Sequence, residues 1–291
     1  MLYYILNSQL RFDNECHNRM PGQQKKRNYQ QHACKSLFLQ NMRKFLLALF
    51  LTISFLTVFA QYKMRPVDQL IDSTQPGWRV LKQWIDSAKN NVEILPVDPS
   101  KAKESLYKTQ MTTRSIMGAI VYCTGGILVD SGWIRILGSG SAKMQRTLPD
   151  WNKGKAFKEF GDPPAFILVA DDAAGGYFAI NYGNLGSDIN RIYYLSPDEL
   201  KWKPLKMTYE DFIWFCFMGN LKKFYAGIRW STWEKDIQNL KADEVFNIYP
   251  PLWSKEGKNV ETSLRKAVPA EQEFSYDIDL RRKMSQDKKG N

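Results

Sequence analysis

Residues 165–217 read AFILVADDAAGGYFAINYGNLGSDINRIYYLSPDELKWKPLKMTYEDFIWFCF, and the pattern of this stretch decides the fold. Residues 166–170 are a short apolar run, residues 177–181 alternate, and residues 192–195 are rich in Tyr and Ile, as half-buried strands are. Between the first two lies Asp171-Asp172-Ala173-Ala174-Gly175-Gly176. Its carboxylates supply local hydrogen bonds and its glycines tolerate positive φ, so the link is a hairpin turn. From Thr208 the period changes: Thr208 can cap, Asp211 stands three residues on, and Phe212, Phe215 and Cys216 recur at helical spacing. This strand, turn, strand, loop, strand, helix order predicts a single α+β domain, an antiparallel sheet flanked by helices.

Outward from this unit, residues 117–123, 127–130 and 133–137 are apolar runs separated by Gly125-Gly126 and Ser131-Gly132, which predicts a strand meander. Residues 66–73 and 78–88 read as two amphipathic helices broken at Gln75-Pro76-Gly77, the second with a stripe of Val80, Leu81, Trp84 and Ile85. A brief strand is expected over 92–97, and a helix over 100–110 with Leu106 and Tyr107 inward. Gly138-Ser139-Gly140-Ser141 lacks the Lys-Ser/Thr of a phosphate-cradling loop and reads as a flexible turn. Residues 148–152 form a small island, and the Lys-rich 153–158 a solvated loop. Downstream, two helices are expected over 220–228 and 231–240 and a last strand over 245–249. Residues 254–291, charged and without apolar period, read as a mobile tail, which leaves 62–253 as the globule.

The net charge of +11 is unevenly placed: residues 1–60 hold 8 Lys and Arg against 2 Asp and Glu, so +6 belongs to them and +5 to the rest. No basic cluster marks one element of the body, and nucleic acid is not an expected partner. Met42-Arg43-Lys44, the apolar residues 45–59 and the small Ala60 fit a secretory signal peptide over 42–60. The uncharged run is shorter than the roughly 20 residues a bilayer requires, so membrane contact is expected only through this transient leader. A leader belongs at an N-terminus, so residues 1–41 read as an upstream extension with translation starting at Met42. Cleavage near Ala60 would leave a periplasmic or secreted protein.

That cleavage also removes Cys16, Cys34 and both histidines, His17 and His32. Histidine-based acid–base and nucleophile systems and His-ligated zinc are then excluded from the mature chain, and no metal or cofactor is expected. Cys123 and Cys216 remain. An oxidising compartment permits a disulfide between them; buried apolar thiols are the alternative.

Met64-Arg65-Pro66, Val97-Asp98-Pro99, Thr112-Thr113-Arg114-Ser115, residues 125–133 (GGILVDSGW), Leu137-Gly138-Ser139-Gly140, residues 168–172 (LVADD) and residues 175–181 (GGYFAIN) together resemble a bacterial family known as domain of unknown function 2625, over nearly all of 64–253. More loosely, the opening stretch is similar to the SUKH superfamily, with its Gly-Gly turn, Tyr-containing strand and Tyr/Phe-rich helix. That second resemblance implies an α+β binding module, many bacterial examples of which are immunity proteins that cover a toxin. The export leader departs from that pattern, since immunity proteins often stay with the toxin in the cytoplasm.

Asp171 and Asp172 are the best candidates for a reactive pair, because adjacent carboxylates raise one another's proton affinity or share a cation. Neighbours on an extended strand point to opposite faces, however, and turn-capping beside Gly175 and Gly176 is the simpler role. Trp133, Tyr177 and Trp202, near turn ends, are the aromatics expected to reach a partner-facing surface. The expectation is an exported, non-enzymatic protein-binding module, immunity-like if the SUKH resemblance extends to function, with Asp171, Asp172, Gly175, Gly176, Tyr177, Trp133 and Trp202 as candidate binding residues. The alternative is an extracytoplasmic hydrolase or glycan-binding protein using Asp171 or Asp172.

Overall fold

The computed structural model describes residues 42–44 and 64–287. The chain divides into two units, Met1–Gln61 and Tyr62–Asn291. In the first, Met42, Arg43 and Lys44 are helical and exposed. The rest of the expected leader, its cleavage point, the extension 1–41, and Cys16, Cys34, His17 and His32 lie outside the described residues.

In the second unit the sheet is a seven-stranded antiparallel meander: β1 (Val92–Ile94), β2 (Gly126–Val129), β3 (Ile134–Leu137), β4 (Phe166–Asp172), β5 (Tyr177–Asn181), β6 (Ile192–Leu195) and β7 (Trp202–Pro204), each paired with the next in chain order. Register sets the faces, because residues directly opposite on antiparallel neighbours share a side. Arg135 lies opposite Asp171 and Asp171 opposite Tyr177, which places these three on one face. Ile136, Ala170, Phe178 and Tyr194 line up on the other, together with the Ile134–Asp172 pair.

The second face is covered by α5 (Tyr209–Met218) and α6 (Leu221–Phe224). Phe178 stacks on Tyr194 at 4.5 Å and meets Phe212 at 4.7 Å. The predicted cap at Thr208 is a full capping box: its hydroxyl accepts from Asp211 N, and the Asp211 carboxylate accepts from Thr208 N. Upstream, α1 (Pro76–Asp86) begins at the triplet expected to break it, because proline in the first turn forfeits an N–H that has no helical partner anyway. The α2 helix (Pro99–Thr109) is capped by Asp98; in it Leu106 is buried as expected, but Tyr107 is exposed. Residues 66–73 shorten to a 3-10 turn at Val67–Gln69.

Larger expectations are corrected as well. The first strand of the upstream meander is instead α3 (Ile116–Cys123), started by Ser115, whose hydroxyl accepts from Gly118 N. An apolar run buried on every side has no period, so only its cap distinguishes helix from strand. More consequential is the supposed tail. Residues 254–291 contain β9 (Leu264–Pro269), which pairs with β8 (Glu244–Tyr249) as a second sheet, and α8 (Ala270–Asp287). Phe274 of α8 packs edge-on against Tyr177 at 4.9 Å and meets Trp151 of α4 (Leu148–Asn152) at 6.0 Å, so this helix covers the first face of the sheet. Its inward positions are Ala270, Phe274 and Asp277. A small residue, a ring and a carboxyl make a poor apolar period, which is why the segment passes for a tail. The helices expected over 220–228 and 231–240 contract to α6 and to α7 (Trp233–Asp236) followed by a 3-10 turn.

Candidate functional site

The Asp171-Asp172 pair ends β4, and its two side chains go to separate partners on opposite faces. Asp172 Oδ1 accepts from Ala174 N at 3.0 Å and Gly176 N at 2.9 Å, while Oδ2 accepts from the Tyr194 hydroxyl at 2.6 Å. Burial raises the Asp172 pKa even so, and pushes the Tyr194 phenol well above its ordinary value. Gly175 turns the chain with φ +84°, and a Cβ on Gly176 would collide with Asp172 Oδ2 and the Tyr194 ring, so the turn requires the first glycine and the approach of Tyr194 from β6 the second.

Asp171 belongs to a different network. Its Oδ1 accepts from Arg135 Nε at 2.7 Å and its Oδ2 from Arg146 Nη1. Arg146 also donates from Nε to Asp243 at 3.0 Å and from Nη2 to the Ala242 carbonyl at 2.7 Å, and its guanidinium lies 4.7 Å from the Trp151 ring. This alternation of charges ties β3 and β4 to the approach to β8. Neither carboxylate presents a free oxygen to a shared ligand position, and the two do not converge.

The other sequence candidates separate as well. Trp133 is fully buried among Tyr225, Trp230 and Trp233, and Tyr177 is fully buried with its hydroxyl donating to the Ala270 carbonyl at 3.3 Å. Both are core, which corrects their assignment to a partner-facing surface. Trp202, half-buried on the edge strand near Phe166, is the accessible one of the three. Cys123 and Cys216 are free thiols, so the disulfide alternative gives way to the thiol one. Burial raises the Cys123 pKa to about 11 and that of Cys216 further, which leaves both unreactive. Among the described residues no three His, Cys, Asp or Glu side chains are grouped to hold a metal ion.

What the sequence reading misses is a cleft of about 680 Å³ between the end of α2, α3, α4 and the loop 157–164. Its walls include Met111, Met117, Leu148, Phe157 and Ile167, with Lys108 and Tyr182 among the few polar groups. The floor is braced by Asn152, which donates to the carbonyls of Leu148 and Leu168 at 2.9 and 2.8 Å and accepts from Leu168 N at 2.8 Å, locking α4 to β4. At the rim Lys108 bridges Glu104 and Asp150 at 2.7 and 2.9 Å and lies over the Phe160 ring. Burial opposes the Lys108 charge, but those two carboxylates outweigh it and raise its pKa. Lysines mark residues 153–158 as solvent loop in the sequence; Phe157 and the following Pro163-Pro164 in fact form one wall. Proline pairs and a lone ring carry no periodic signal, so the cleft exists only in three dimensions.

Comparison with known proteins places this geometry in a family. Residues 67–273 match the family described as Protein of unknown function DUF2625. An uncharacterized protein of Haemophilus influenzae (strain ATCC 51907 / DSM 11121 / KW20 / Rd) is 46% identical over 189 residues, which is 65% of this chain and 83% of that protein. The putative uncharacterized protein YbfG of Escherichia coli (strain K12) is 40% identical over 190 residues, 65% of this chain and 86% of its own. No solved structure matches. The matched span ends inside α8, so the family resemblance reaches the helix that covers the first face of the sheet.

Proposed function

The chain belongs to the DUF2625 family, and from that premise we propose that it is an exported, non-enzymatic module that binds a partner protein by taking apolar side chains of the partner into the cleft beside α2 and α4. The carrying observation is the cleft: about 680 Å³ is within the range of roughly 300–1,000 Å³ of ligand sites, and its lining is dominated by Met, Leu, Ile, Pro and Phe. Each aliphatic side chain seated there contributes about 1.5–3 kcal/mol of burial, so two or three anchors support a specific complex. Tyr182 in the cleft and Tyr107, next in the chain to the rim residue Lys108, are exposed at about two-fifths of their surface, a composition suited to an interface edge. Asp171 and Asp172, the carboxylates best placed in the sequence for hydrolysis, are held by Arg135, Arg146, Tyr194 and two backbone amides, which favours binding over catalysis. Export rests on the basic, apolar, small pattern of residues 42–60. The immunity-like role implied by the SUKH resemblance is the form of this reading in which the partner is a toxin.

The test uses half-buried Ile167 of the cleft wall. Wild-type protein, cross-linked to envelope extract, is expected to give cross-links mapping to 108–111 and 157–164; Ile167→Arg bait should lose the same partner while Trp202→Ala bait keeps it. Retention by Ile167→Arg, or turnover of cell-wall glycan that disappears in Asp172→Asn, overturns the reading. N-terminal sequencing of native protein should begin near Gln61, and a mature chain retaining residues 1–41 defeats the export component.

A further inference from the structure

A second, smaller cavity lies beside the β4–β5 turn, where β8 and the loop 251–253 meet α8. Its volume is about 140 Å³, close to the roughly 150 Å³ of an engineered cavity that admits a benzene ring. Two carboxyls, Glu273 and Asp277, stand one helical turn apart on α8 and line it. Glu273 accepts from Asn247 Nδ2 at 3.0 Å on each oxygen. Asp277 is 6% exposed and has no hydrogen-bond or salt-bridge partner among the described residues, although it lines the cavity. Around the mouth stand Tyr249 and Tyr276, both more than half exposed, and Trp253.

The Asp277 oxygens are not wholly enclosed and open into the cavity; a carboxyl so largely buried, with no protein partner, is costly unless water or a ligand on its open side satisfies it. The groups facing this one are Glu273 on its own helix, Tyr177 of β5 and the uncharged Asn247 of β8; Arg281, one turn further along α8, is half-buried but forms no ion pair with Asp277 among the described residues. Arg146, which also acts on Tyr177, is engaged by Asp171 and Asp243. An acidic base under aromatic walls is the arrangement that receives an organic cation, through ion pairing at the bottom and ring faces along the shaft. Two carboxyls are too few for a protein calcium site, which takes six to eight oxygens.

We propose that this cavity is a binding site for a primary ammonium or guanidinium group on an aliphatic chain, seated on Asp277 and Glu273 with Tyr249, Tyr276 and Trp253 around its methylenes. The cation comes from a Lys or Arg side chain of a bound protein or from a free small amine; the chemistry is the same. This site is separate from the apolar cleft and stands or falls without it. Burial, and then the neighbouring Glu273, raises Asp277 to a pKa of about 8 when the cavity holds no cation. A cation prefers the ionised carboxyl, so its binding expels a proton and strengthens as pH rises towards 8.

Calorimetric titration of the full chain with n-butylammonium, n-butylguanidinium and a blocked Ala-Lys-Ala peptide checks this, with n-butanol, sodium chloride and calcium chloride as controls. Saturable 1:1 binding of the cationic probes is expected, with none for butanol, an affinity gain of about tenfold per pH unit from 6 towards 8, and a plateau above. Asp277→Asn should weaken binding at least tenfold and remove the pH slope, and Glu273→Gln should weaken it less. Tighter binding of the peptide than of butylammonium identifies a protein side chain as the source; the reverse order identifies a small amine. Absence of saturable binding by all three cationic probes at pH 8.5, undiminished binding in Asp277→Asn, or a response to calcium chloride but not to the amines overturns the proposal. Should Asp277→Asn not fold, the wild-type pH profile and Glu273→Gln still decide it.

Discussion

Replacing Phe274 by alanine tests whether α8 is a structural layer. The ring is buried, meets Tyr177 at 4.9 Å and Trp151 at 6.0 Å, and lies 5.9 Å from the Lys155 ammonium. Removing it forfeits about 1.5–3 kcal/mol of transfer energy and about 0.5–1.5 kcal/mol for the aromatic contacts, and leaves a cavity over the sheet. A loss of roughly 3–5 kcal/mol is expected, as for other buried Phe→Ala changes. In a domain of this size that lowers Tm by roughly 6–20 °C. Urea and thermal unfolding followed by circular dichroism measure it, with Gln272→Ala, on the exposed side of the same helix, held within about 0.5 kcal/mol of wild type. If Phe274→Ala costs less than about 1 kcal/mol, α8 does not close the first face and the account of a sheet covered on both faces is wrong.

Asp171→Asn removes the counter-charge of Arg135, which is 1% exposed and whose Nη1 and Nη2 already lack an acceptor; about 3–5 kcal/mol of stability should be lost in urea melts, and a change under about 1 kcal/mol contradicts the buried pair. Asp277 has a folded pKa raised to about 8 against an unfolded value near 3.8, so between those limits the folded state holds a proton that the unfolded state releases. Stability from this group is therefore present at low pH and lost as pH rises, by up to about 1.4 kcal/mol per unit, and Asp277→Asn should flatten that slope between pH 5 and 8. Cys123 and Cys216 should resist iodoacetamide in the native protein and both be alkylated on unfolding without reductant; a peptide linking 123 to 216 in the mass spectrum contradicts their free state.

Local chemistry accounts for what was legible. The β4–β5 hairpin, the capping box at Thr208 and the strand over 192–195 follow from turn residues, caps and period-two alternation within a few residues of one another. Alternation likewise assigns Asp171 and Asp172 to opposite faces. Their partners do not follow from it: Arg135 lies 36 residues before Asp171 and Tyr194 lies 22 after Asp172, joined only once the strands pair. Trp133 and Tyr177 show the same limit, since nearness to a turn suggests exposure until Trp230, Trp233 and Phe274 arrive from distant segments to cover them.

By itself the sequence determined the class of fold, the order of most strands and the turn at Gly175, because backbone preference and side-chain period are properties of neighbours. Only the tertiary structure decided that the charged C-terminal segment is a layer of the domain, that Phe157 and Pro163 wall a cleft, and that Asp277 lines a cavity without a protein partner. Burial depends on what other parts of the chain are brought against a residue, and a helix face of one alanine, one phenylalanine and one aspartate shows its inward side only when the sheet is there to meet it.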